Sequence, residues 1–96
     1  MSNLFPGQFA PLGFQAITLT NAAAQKLTVP ATSKYALIQA VTNSVSWRDD
    51  NTAPTASVGM IVPTGLEPMG FSGDLSVIQF ISTNASGSTL LVSYYG

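Results

Sequence analysis

The chain has 96 residues, a net charge of -1, and neither cysteine nor histidine. That length holds one modest core. The missing residue types exclude disulfides, thiolate zinc sites and any triad that needs an imidazole base. Charged residues make up 7% of the chain against about 25% in ordinary soluble domains, so Ser, Thr, Asn, Gln and Gly must supply most of the polar surface. Lys26, Lys34 and Arg48 are too few and too scattered to follow a phosphate backbone, which argues against nucleic acid as a partner. No apolar run approaches the roughly 20 residues that span a bilayer, and residues 1–7 lack the basic and apolar regions of a signal peptide. The expectation is a protein made in the cytoplasm, with no membrane and no cofactor.

In chain order, residues 1–13 place Pro6, Gly7, Pro11 and Gly13 among the apolar Leu4, Phe5, Phe9 and Leu12. Such a stretch predicts an extended N-terminal arm, and its apolar content predicts that these four side chains lie on the domain or on a neighbouring subunit. Residues 14–96 then alternate short β-rich runs with turn residues, the pattern of a single antiparallel β-sandwich of about eight strands. The expected strands are 15–20, 25–29, 34–42, 45–49, 57–62, 66–71, 75–83 and 89–95. Pro68 and Gly70 make the sixth an edge strand or an irregular crossing. The one helical candidate, 21–26 behind Asn21, is too short to exceed a single turn before Pro30 closes the run.

Several strands are apolar on both faces. Tyr35, Leu37 and Val41 fall on one side of the third strand, and Ala36, Ile38 and Ala40 on the other; Leu75, Val77 and Ile81 likewise oppose Ile78 and Phe80. A free-standing two-layer sandwich has a wet outer face on each sheet, so this pattern predicts a cover on the outside. The alternative is that small residues such as Ala36 and Ala40 simply face water.

Little in the sequence supports catalysis. The carboxylates are Asp49, Asp50, Glu67 and Asp74; the adjacent pair belongs in a turn, and the other two lack polar neighbours for general acid–base work. Asp49, Asp50 and Asn51 offer oxygen ligands to calcium, but an Asx-type turn explains them better, with Arg48 paired to Asp49, Asp50 or Asp74 as a clamp on the turn. Trp47, Tyr35, Tyr94 and Tyr95 allow two readings, a platform for sugar rings or core packing, and burial of the Trp47 indole is favoured. Asn84-Ala85-Ser86 matches a glycosylation sequon by chance and reads as a turn.

Ser46-Trp47-Arg48-Asp49-Asp50, followed by Ala53-Pro54-Thr55-Ala56-Ser57-Val58-Gly59-Met60, resembles small virion-associated structural proteins of tailed bacteriophages. Leu27-Thr28-Val29-Pro30, Phe71-Ser72-Gly73-Asp74-Leu75-Ser76 and Leu91-Val92-Ser93-Tyr94-Tyr95 are similar to the same group, so the likeness spans most of residues 25–95. The resemblance implies a jelly-roll-like capsid decoration or cement protein, or else a small tail or fibre subunit. Its partners would be the major capsid protein, other virion proteins or copies of itself, and it would be assembled into virions in the host cytoplasm. The low charge agrees with that expectation; a carbohydrate-binding module for host adhesion is the rival.

Overall fold

The computed structural model describes residues 10–65 and 67–96. Leu4, Phe5 and Phe9, expected as contact residues of the arm, lie outside the described residues. Eight strands follow in order: β1 (Pro11–Leu19), β2 (Gln25–Lys26), β3 (Tyr35–Val41), β4 (Val45–Arg48), β5 (Met60–Val62), β6 (Met69–Ser72), β7 (Gln79–Ser82) and β8 (Ser88–Tyr95). They form two antiparallel four-stranded sheets, β1-β8-β3-β6 and β2-β7-β4-β5. The pairing is nested: first with last, second with seventh, third with sixth, fourth with fifth. It is the pairing of one long hairpin whose two arms wind together, joined into sheets by the β8–β3 and β7–β4 ladders.

The core lies between the layers. Strand alternation sends Ile17 and Leu19, Ala36, Ile38 and Ala40, and Leu90, Val92 and Tyr94 inward from the first sheet, to meet Val45, Val62 and Phe80 from the second. The small residues of β3 are therefore core residues, contrary to the alternative that Ala36 and Ala40 face water. The reason is volume: Ala36 sits opposite both Tyr94 and Phe71, and Ala40 opposite Leu90, so the bulk of a close-packed layer comes from the neighbours. The larger Tyr35, Leu37 and Val41 are left on the outside.

Four other expectations are corrected. The strand expected over 75–83 is a 3-10 turn, Leu75–Val77, followed by the short β7, because the Asp74 carboxylate accepts from Ser76 N at 3.1 Å and caps the turn. The strand expected over 25–29 contracts to Gln25–Lys26, and residues 21–23 before it bend without exceeding the single turn expected there. The strand expected over 57–62 contracts to Met60–Val62, since Thr55 and Val58 exchange backbone hydrogen bonds and hold the preceding residues in a tight loop. Finally, β1 begins at Pro11, inside the stretch expected as an irregular arm, with a bulge between Pro11 and Gly13. Pro11 is tolerated as the first residue of an edge strand, where its missing N–H costs no ladder bond. Ala10 extends the pairing by exchanging two backbone bonds with Gly96.

Two of the arches that carry the chain between sheets, 42–44 and 83–87, are tied together at one end of the sandwich. Asn43 Nδ2 donates to the Gly87 carbonyl at 2.7 Å, and Ser44 Oγ lies 2.7 Å from Thr83 Oγ1. The buried Ser88 Oγ donates to the Ser44 carbonyl at 3.1 Å and stands 2.7 Å from the buried Ser82 Oγ. Gly87 adopts φ +87° here, and a Cβ at this position would stand 2.7 Å from the Leu19 carbonyl oxygen. Gly73 has nearly the same φ, +89°, in open space. Gly87→Ala should therefore lose about 2–3 kcal/mol of stability and Gly73→Ala only about 1 kcal/mol, since both carry the left-handed strain but only one adds a backbone clash. Equal losses in denaturant titrations would show that the Leu19 contact does not matter.

Candidate functional site

Around β4 the chain builds a concave apolar feature that touches charge. Trp47 projects from the second sheet toward the first and meets Phe71 edge to face, with ring centroids 4.8 Å apart; Phe71 in turn meets Phe80 at 6.1 Å. The indole is thus a half-buried strut between the layers, and its Nε1 is buried with no acceptor among the described residues. Its remaining surface lines a shallow hollow of about 260 Å³ with Arg48, Asp50, Val58 and Met60.

Ser46, on the opposite side of β4 from Trp47, would face water in a bare sheet but is fully buried. The loop between β4 and β5 explains this. It folds back over the strand, buries Pro54, and brings the Val58 carbonyl to Ser46 Oγ at 3.3 Å. Gly59 permits the approach, because a Cβ there would collide with Ser46 Oγ and reach 3.0 Å from the Trp47 carbonyl oxygen. At the start of the loop, Arg48 Nε donates to Asp50 Oδ1 at 3.1 Å and Arg48 Nη2 pairs with Oδ2, while Thr52 N donates to Oδ1 at 3.3 Å. The guanidinium holds the Asp50 carboxyl below its usual range, and the carboxylate raises Arg48 in return. Of the three residues expected to clamp this turn, Arg48 and Asp50 form the pair; Asp49 is exposed and takes no part in that pair.

Asp50 is committed to Arg48, Asp74 caps the 3-10 turn, and Glu67 stands exposed on a connection. Among the described residues no three acidic groups come together in a way that could hold a metal ion. The four aromatics considered as a sugar platform do not share a face. Trp47 points between the sheets, Tyr94 is in the core, and Tyr35 and Tyr95 are cross-strand neighbours on the outside of the first sheet.

That outer face exposes apolar side chains, as do β5 and the loop before it with Val58, Met60 and Ile61. None of the four strands β1, β3, β6 and β8 contains a Lys, Arg, Asp or Glu. Phe14 stands 68% exposed, Leu12 and Val41 about 40%, and Leu37 and Leu91 are half-buried beside them. Leu12, expected on the arm, thus belongs to β1 itself. Phe14, at the start of the expected domain, was not singled out by its sequence context, although its even spacing from Ala16 and Thr18 puts it on the side opposite the buried Ile17 and Leu19.

Comparison with protein-family models, with curated proteins and with solved structures finds no match to this chain.

Two outcomes follow from this geometry. Gly59→Ala should lift the loop from Ser46, cost about 1–3 kcal/mol, and make Trp47 fluorescence redder and easier to quench with acrylamide; an unchanged spectrum and melting temperature would mean that the loop is held elsewhere. Burial raises the Tyr94 hydroxyl to about 12, and that hydroxyl donates to Gln15 Oε1 at 2.7 Å. Because the folded value lies above the unfolded one of about 10, this contribution is complete below pH 10 and disappears as pH rises toward 12. Melting temperature should fall over that window in the native chain, and less steeply in Tyr94→Phe.

Proposed function

We propose that this chain is a non-enzymatic structural protein of a tailed-phage virion, a jelly roll that serves as a capsid decoration or cement subunit. The observation that carries this reading is the first sheet: four strands with no charged residue, presenting an outer face with exposed Phe14 and Val41. Contiguous apolar surface of this kind marks an interaction site. Salt-bridged recognition is unavailable to it, so its partner must be matched by shape and by apolar contact.

The nested pairing of eight strands supports the same reading by analogy of fold, since jelly rolls recur in viral capsid and lectin domains. The likeness of residues 46–60 to virion-associated proteins points the same way. On this reading the partners are the major capsid protein or other virion proteins, met in the host cytoplasm during assembly. Repetition of one weak contact over many identical sites would hold the protein in place.

The test is a count of this protein in purified virions against the major capsid protein, by quantitative mass spectrometry. Hundreds of copies per particle are expected; a handful would move the protein to the tail or fibres, and none would overturn the reading. Attachment should also survive a rise from about 0.1 M to about 1 M salt, because apolar contacts are not screened.

A further inference from the structure

The outer face of the β1-β8-β3-β6 sheet has the relief of one half of a self-complementary joint. Across the strands, the row Phe14, Ser93, Leu37, Gly70 alternates large and small side chains. In the adjoining row Leu91 stands between Ala16 and Gln39, so the large residue is shifted by one strand. The small Ser93 therefore lies in an open hollow of about 140 Å³ walled by Phe14, Leu37, Leu91 and Pro68, with the Gln39 amide on its rim. A cavity of roughly 150 Å³ is known to admit benzene, so a phenyl ring fits a space of this size. Beside the hollow rises the most exposed large apolar side chain of the described residues, Phe14.

A knob adjacent to a hole on one patch is what a two-fold axis exploits, because rotation sets each knob over the other copy's hole. The patch also tolerates its own image. With no Lys, Arg, Asp or Glu on the four strands, apposing two copies brings no like charges together within the sheet; Lys34 and Glu67 lie just outside it. The area is sufficient as well. Four strands about 4.8 Å apart and about seven residues long give roughly 450 Å² in projection, and side-chain relief raises this toward the about 600–800 Å² per partner of a small stable interface.

We propose that two copies of this chain pack outer face to outer face on a two-fold axis beside Phe14, each Phe14 ring entering the other copy's hollow over Ser93. This names the partner at the face that the virion reading takes to be covered, and it rests on that reading only for the face being an interface.

Sedimentation equilibrium of the full chain up to about 100 µM, where a low-micromolar dissociation constant leaves mostly dimer, tests it. The expected mass is twice the 10.0 kDa of one chain. Phe14→Glu should weaken the dimer at least 100-fold while leaving unchanged the melting temperature measured at concentrations dilute enough for the native chain to be monomeric, since the ring is largely outside the core. Ser93→Leu, which fills the hollow and adds no charge, should do the same. Met60→Glu, at an equally exposed position on the other sheet, should leave the dimer intact. A monomeric native chain, or a dimer broken by Met60→Glu and not by Phe14→Glu, overturns the proposal. The virion count decides the other reading separately. A monomer present in virions refutes the dimer alone, and a dimer absent from virions refutes the virion role alone. If the native chain is monomeric and Phe14→Glu fails to join particles, the face belongs to a different virion protein.

Discussion

The sandwich is closed by the hydroxyl and amide network that ties arch 42–44 to arch 83–87. Both arches carry the chain from one layer to the other, β3 to β4 and β7 to β8, and β8 and β7 lie in the interior of their sheets. A chain with 3 cations and 4 carboxylates cannot pin its layers with ion pairs, and one without cysteine cannot staple them. Short hydroxyl side chains do the work instead. Ser82 and Ser88 are buried, so each depends on its partner; a buried hydroxyl left unpaired costs about 1–3 kcal/mol, more than the net gain from making the bond. The network thus specifies the position of the arches more than it stabilises them. Once the arches are fixed, the inward residues of β3 and β8 have only one register in which Ala36 can face Tyr94.

Much of this was readable in the sequence. The alternation at 35–41 and 88–95 and the turn residues between runs give the β class and the strand count directly, and Pro68 with Gly70 foretells that β6 lies at an edge. What was hidden falls into two kinds. Local side-chain capping defeated the apolar pattern at 75–77, where the Asp74 carboxylate bonded to Ser76 outweighs the strand propensity of Leu75 and Val77. Long-range folding decided the rest. Nothing near Ser46 in sequence reveals that Val58 and Pro54 return to cover it, and nothing near Ala36 shows that Tyr94 and Phe71 supply the volume it lacks. Of the candidate site residues, Arg48 was legible as the clamp on the turn, but which of Asp49, Asp50 and Asp74 it holds was not, and the turn geometry selects Asp50. The exposure of Phe14 required knowing which side of β1 the core occupies.

Both faces of β3 carry apolar side chains: Ala36, Ile38 and Ala40 go to the core, and Tyr35, Leu37 and Val41, with Gln39 among them, lie outside. On the proposed reading those outer residues are also removed from water, and the sheet is an internal layer of a larger stack with a second apolar contact on its far side. Lys26, Arg48 and Asp50 lie on the second sheet and its connections, which also expose Val58, Met60 and Ile61.

The nesting of the strands has a consequence for synthesis. Within its sheet β1 has no neighbour except β8, and β3 reaches β1 only through it. Until residues 88–95 have been made, β1 waits without its one ladder partner and β3 without one of its two, so the first sheet cannot be completed from the N-terminal side. For an uncharged strand such as β1, that interval on the ribosome is the moment of greatest exposure to misassociation.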